Sequence, residues 1–274
     1  MSRKFARVTV CSIFATLSLF GGTAVAQVAP PLGVAVQFGV LGNSAVTGST
    51  GSGTVVNGDV GSSPTATITN FPPSTSSLPF AVHPTNNGIV VQARLDANAA
   101  YVQMLGQGSG TVLPDNLATV GALTSGIYSF VTGAPDLPAS ATLTLNGAGI
   151  FIFNVGSSLT ANVLSNVVGT ANPCNIYWRV GSSATLNGNT FRGTVISSAS
   201  ITVGSGANLA GRALAGAGAT GAVTMAGSGG NTIGGCSGAG PIVVPTMPQI
   251  FLLLTAIILI TVGYFRLREH GVRA

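Results

Sequence analysis

Groups able to titrate or bind a metal are few in this chain. Between its two basic ends lie one histidine (His83), four aspartates (Asp59, Asp96, Asp115, Asp136) and four arginines (Arg94, Arg179, Arg192, Arg212), with no glutamate. Glycoside hydrolysis needs two carboxyl groups flanking one bond, and these scattered aspartates form no convincing pair. No zinc-ligand spacing occurs, and a lone histidine is more often structural than a ligand. Asp59 stands between Gly58 and Val60 and reads as a turn aspartate that bonds nearby amides. There is no Gly-x-Ser-x-Gly elbow with its partners and no Walker A loop. The Gly-rich segments lack the aspartate spacing of calcium-binding nonapeptide repeats. The chain therefore reads as a non-enzyme that needs no cofactor.

Composition narrows the class further. Only 5% of the 274 residues are charged, and 39 are glycine; an ordinary globular domain has about 25% charged residues. The 46% hydrophobic content argues against disorder. The formal charge of +5 comes from the ends, from Arg3, Lys4 and Arg7 and from Arg266, Arg268 and Arg273 opposed by Glu269. The body is neutral, its surface built of Ser, Thr, Asn and Gly. It lacks the basic patch a nucleic-acid binder needs to displace counterions.

The elements that must carry this surface announce themselves by repetition. VGSSLTA begins at Val155, VGSSATL at Val180 and VGSGANL at Val203, offsets of 25 and 23 residues. Such a period fits one lap of a β-solenoid, in which an apolar strand enters a Gly-Ser corner and leaves as a second strand. Alternation places Ile68 on one face of its strand and Thr67 and Thr69 on the other; Leu143 and Leu145 should point inward, Thr142 and Thr144 outward. One helix interrupts the strands. Asn86 or Asn87 caps it, and Ile89, Ala93, Ala97, Ala100, Tyr101 and Met104 form an apolar stripe expected to lie along the solenoid.

The ends read as separate modules. Residues 1–26 have a basic start, an apolar run and a small-x-small site at Ala24-Val25-Ala26, the pattern of a secretory signal; a retained anchor is the alternative. Residues 27–240 form the body. Residues 241–274 contain sixteen uncharged residues, IFLLLTAIILITVGYF (250–265), followed by a basic end. At about 1.5 Å per residue these reach roughly 24 Å, slightly short of an average bilayer core. The basic end fits the cytoplasmic side of a membrane span; a buried core helix is the alternative. In an exported chain, Cys174 and Cys236 favour a disulfide over two free thiols. Closing a loop of about 60 residues, it would contribute on the order of 3–4 kcal/mol.

Together, FGVLGNSAVT, GDVGSSPTATITNFPP, the helix ending in Ala99-Ala100-Tyr101, GIFIFNVGSSLT, CNIYWRVGSSATL, FRGTVISSASITVGSGANLAGRALA and Asn231-Thr232-Ile233 resemble the bacterial and fungal ice-binding protein family. The resemblance implies a mainly β fold: a right-handed, discontinuous β-solenoid of triangular section, with one long helix alongside and coils stacked out of sequence order. It implies a flat face whose threonines, each a hydroxyl beside a methyl, adsorb to ice. The family's Thr-Ala/Gly-x-Thr/Asn pattern falls on Thr47-Gly48-Ser49-Thr50, and in its first half on Thr160-Ala161-Asn162-Val163 and Thr220-Gly221-Ala222-Val223. Thr47, Thr50, Thr160, Asn162 and Thr220 are thus the candidate ice contacts. An envelope structural or adhesion module on the same scaffold is the alternative function. The tail resembles an exosortase-type sorting signal, with Val244-Pro245-Thr246-Met247 near the Ile-Pro-Thr-Leu variant. That implies a membrane and a sorting peptidase as partners and placement in the cell envelope or release from it; a permanent anchor is the alternative.

Two outcomes follow from the ends. N-terminal sequencing of exported protein should begin at Gln27; a start before Val8 would make the first segment an anchor. Deleting residues 244–274 should move the protein to soluble fractions, and unchanged fractionation would deny the tail any sorting or anchoring role.

Overall fold

The computed structural model describes residues 27–218 and 220–236. The leader 1–26 and the tail 241–274, with its motif at 244–247 and apolar stretch at 250–265, lie outside the described residues. Among the described residues no helix is long and apolar enough to cross a membrane.

Most strands have two to five residues and are broken by Gly-Ser corners, too short to close a core within one sheet, so they wrap. Each full lap contributes three strands, as in Phe151–Val155, Leu159–Ala161 and Asn166–Val168. Laps stack by parallel pairing: Phe153 opposite Trp178, Thr160 opposite Thr185, Asn166 opposite Thr190. Side chains alternate, so each lap sends one apolar set into the common interior. Along the axis an aromatic column forms there. Phe153 stacks on Trp178 with ring centroids 3.9 Å apart, Tyr128 stacks on Phe153 at 5.3 Å, and Phe191 closes on Trp178 at 5.1 Å.

Spatial order departs from chain order. On the helix-covered face the strands run Thr111–Leu113, Gly126–Phe130, Phe151–Val155, Ile176–Val180, the later parts of Thr190–Ser197 and Asn208–Leu214, then Phe38–Gly42 and Asp59–Ser62. The chain thus builds two laps near one end and crosses to the other by a helix. It then descends until its last lap docks on its first, with Val40 opposite Ala213 and Ile233 opposite Val56. The helix, Gly88–Gly106, has 19 residues. Its length of about 28 Å covers about six strand spacings of 4.7–4.9 Å, most of this eight-level stack.

The structure corrects the repeat phase. VGSSLTA and VGSSATL do stack, but VGSGANL is one corner out of phase: Thr202, just before Val203, is what lies opposite Thr185. The step there is 17 residues, not 23. The cause is the lap closure. A turn with Pro173–Asn175 separates the Thr160 and Thr185 laps, whereas Thr190–Ser197 rounds its corner without a loop. Gly193 makes that bend at φ 115°, and a Cβ on its neighbour Gly211 would lie 1.9 Å from the Gly193 carbonyl oxygen. Only glycine fits there.

The helix is capped by Asn87, whose Oδ1 accepts from the Val90 amide at 3.1 Å. It buries Val90, Ala93, Arg94, Ala97, Ala100, Tyr101 and Met104 against Phe38, Leu41, Ile127, Ile152, Tyr177, Ile196 and Leu214. Ile89, expected in the stripe, is 49% exposed; Val90, three residues before Ala93 and seven before Ala97, takes its place at an equally helical spacing. The polar contacts on this face serve the backbone. Arg94 donates to the Ala215 and Gly216 carbonyls, and Asn154 donates to the Gly108 carbonyl just past the helix end. Arg179 bonds the Tyr101 hydroxyl and lies 4.5 Å over its ring. Asp59 opens a strand rather than a turn, and its carboxylate meets His83 Nε2 at 3.1 Å and accepts from the Ala81 amide. His83 thus fastens the segment that leads into the helix.

Cys174 and Cys236 form the disulfide, with Cα atoms 5.3 Å apart. Beside it, Arg212 is 1% exposed and donates to the Val36 and Cys236 carbonyls and to Thr194 Oγ1. Burial lowers its pKa to about 10, so it is still charged at neutral pH. Arg212→Met should lower the unfolding free energy by about 2–4 kcal/mol, because it leaves the Val36 and Cys236 carbonyls, at the two ends of the body, without this donor. Denaturant unfolding measures this; a loss under about 0.5 kcal/mol would show that those carbonyls find other donors.

Candidate functional site

The second face carries one short strand from each lap: Asp136–Leu137, Leu159–Ala161, Ala184–Leu186, Ile201–Val203, Ala222–Met225, Ala45–Thr47 and Ile68–Thr69. Their register is unbroken. Leu159, Ala184, Ile201, Val223 and Val46 are opposed in turn and point into the core. The next residue of each strand points out, which aligns Asp136, Thr160, Thr185, Thr202, Thr224, Thr47 and Thr69 in a single row. Six threonines therefore repeat at the strand spacing of about 4.7–4.9 Å. Two residues earlier on each strand stands a second outward row of Ser158, Ser183, Ser200, Ala222, Ala45 and Thr67. No member of either row exceeds the size of threonine, so the face is flat.

The ladder's chemistry is uniform. Each threonine sets a methyl beside a hydroxyl, and the β-branched side chain keeps few rotamers. At one end, Thr69 Oγ1 donates to Thr47 Oγ1 at 3.2 Å. At the other, Asn162 Nδ2 donates to Asp136 Oδ1 at 2.6 Å and holds that carboxylate in place. The third face is less regular. Its outward row reads Thr142, Asn166, Thr190, Asn208, Thr232, Val55 and Thr75, and Arg192 projects beside it.

Of the residues singled out from sequence, Thr47 and Thr160 stand in the ladder. Thr50 is exposed in the corner beyond it. Asn162 lies past the strand, with its amide committed to Asp136 and the Leu137 carbonyl. Thr220 is exposed at the opposite corner, lining a groove beside the helix. Thr69, Thr185, Thr202 and Thr224 were not foreseen as site residues. The signal for three of them was a lone Thr between two apolar residues: Ala184-Thr185-Leu186, Ile201-Thr202-Val203 and Val223-Thr224-Met225.

A model of the Ice-binding-like family matches residues 40–230, nearly all of the span that builds the laps. The chain belongs to the Ice-binding-like family. It is 34% identical over 214 residues to an ice-binding protein of Nostoc sp. strain HG1, covering 74% of each chain. The crystal structure of an ice-binding protein from an Antarctic biological consortium superposes with a TM-score of 0.66 at 36% identity, over 76% of this chain and 92% of that one. The ice-binding protein of the Antarctic ascomycete Antarctomyces psychrotrophicus gives 0.63 at 30% identity, over 76% and 98%.

Proposed function

We propose that this protein is exported and binds ice through the threonine ladder, slowing crystal growth or recrystallisation. One observation carries the reading: six threonines in unbroken parallel register on a face free of bulky side chains. Ice presents a rigid, periodic, uncharged array of water. Binding it requires a surface that repeats, does not flex and does not impose competing hydration. Hydroxyls can hold ordered water, and the methyls between them restrict the hydration geometries available. The ladder is seated on a stack of Leu, Ile and Val, which keeps it stiff. Thr185, Thr202 and Thr224 lie at its middle and contribute most, with Thr47, Thr69 and Thr160 extending it. The tail from Val244 to Met247 and beyond is read as a sorting signal that brings the body to the membrane and a peptidase.

The test is uptake of purified protein into a slowly growing ice hemisphere. Thr202→Lys sets a hydrated charge at the centre of the ladder and should abolish most uptake. Thr50→Lys, at the corner, should leave uptake near that of the parent. Thermal unfolding of both should stay close to the parent, since exposed substitutions usually change stability by about 0.5 kcal/mol or less. If the Thr202 variant enters ice as well as the parent does, the ladder is not the site.

A further inference from the structure

One side of the helix is packed on the solenoid, and an adjoining flank, about 110° round the helix, holds an apolar seam. Val91, Leu95, Asn98, Val102 and Leu105 follow one another at steps of four, three, four and three residues. The four hydrophobic members are 37%, 57%, 58% and 56% exposed in that order. That spacing is the a/d pattern by which one helix seats against another. A helix side that faces water normally carries charge. Here the helix has only Arg94 and Asp96. Arg94 is turned onto the Ala215 and Gly216 carbonyls, and Asp96 accepts from the Val34 amide and Gln92. Nothing charged is left on the seam to repel a like surface.

The seam is symmetric about its middle. Asn98 has Val91 seven residues before it and Leu105 seven after, with Leu95 and Val102 nearer on either side. Reversing the helix direction therefore puts Val or Leu opposite Leu or Val and brings Asn98 toward its own equivalent. An isologous twofold contact needs this self-complementarity. We propose that this seam is a homodimer interface: the helices of two copies pair antiparallel about a twofold axis near Asn98. Val91 then lies by the partner's Leu105, and the Asn98 amides of both copies meet at the centre. A groove of about 710 Å³ beside Val91, Leu95 and Asn98, closed on its far side by Pro64, Gly218 and Thr220, gives the incoming helix room.

Asn98 selects this occupant over others. Against a lipid surface or an apolar tail, a mid-seam amide would lose its hydrogen bonds to water with nothing in return. Against its own copy, it finds both a donor and an acceptor. A buried Asn of this kind also sets register and partner number in helix pairs. Membrane-surface helices carry Lys and Arg beside their apolar side, and this helix has neither there. A 19-residue helix pair buries on the order of 1,000 Å², the low end for specific contacts, so the dimer is weak and concentration-dependent. The threonine ladder lies on a different face and stays open in both copies. The proposal does not depend on what that ladder binds.

The experiment uses the full chain in detergent with Cys11→Ser, so that an introduced cysteine is the only free thiol. Sedimentation velocity should show a monomer–dimer equilibrium. Leu95→Arg or Val102→Arg should raise its dissociation constant at least tenfold while circular dichroism and thermal unfolding stay unchanged. Under mild oxidation Asn98→Cys should give a disulfide-linked dimer, whereas Gln92→Cys, off the seam, should not. Mixing Val91→Cys with Leu105→Cys should give the mixed dimer, with neither variant linking to itself. A folded monomer at all concentrations, a dimer indifferent to both Arg substitutions, or self-linking of Leu105→Cys would overturn the proposal.

Discussion

Parallel pairing of laps in unbroken register is the constraint on which the rest of this molecule depends. When each lap is hydrogen-bonded to the next at one strand spacing, whatever side chain a lap presents recurs at that spacing. One aromatic per lap becomes the Tyr128–Phe153–Trp178 column inside, and one threonine per lap becomes the ladder outside. A slip of one residue would exchange the two sets. Tight corners guard against that slip, above all where Gly193 and Gly211 stack with no space for a side chain.

Register alone leaves a stack with loose ends, and the helix, the disulfide and the arginines close it. The helix returns the chain to the far end, so the last lap must dock on the first, and both chain ends of the body are fastened near their neighbours. Val28 exchanges hydrogen bonds with Gln107 just past the helix. Cys236 is tied covalently to Cys174 and through its carbonyl to Arg212. The terminal strands Ile68–Thr69 and Thr75–Ser76 have two residues each, too short to recruit another chain by edge pairing.

The few body charges do internal work. Arg94, Arg179, Arg192 and Arg212 all donate to backbone carbonyls. Asp59, Asp96 and Asp115 accept backbone amides, and Asp136 accepts from Asn162. The low charge content is thus more than a scarcity: the charges present are turned toward the chain. The ladder is left as a surface of hydroxyls and methyls, which suits an uncharged, periodic ligand.

How much of this was legible beforehand differs from element to element. Composition and alternation determined a neutral β body, the inward leucines at 143 and 145 and the outward threonines at 67 and 69, because a period of two is local. The helix and its Asn87 cap were local as well, although local spacing could not choose between Ile89 and Val90. The cysteine pair was indicated by count and export. What only the tertiary structure decided was which residues share a row. Laps of 25, 17 and 22 residues separate Thr160, Thr185, Thr202 and Thr224, because corners differ in length while hydrogen bonds hold the strands level. The next member, Thr47, comes from the far start of the chain. A linear motif therefore found Thr47 and Thr160 but also Thr50, Asn162 and Thr220, which lie at corners. The ladder is a property of strand pairing across the fold, and no window of sequence contains it.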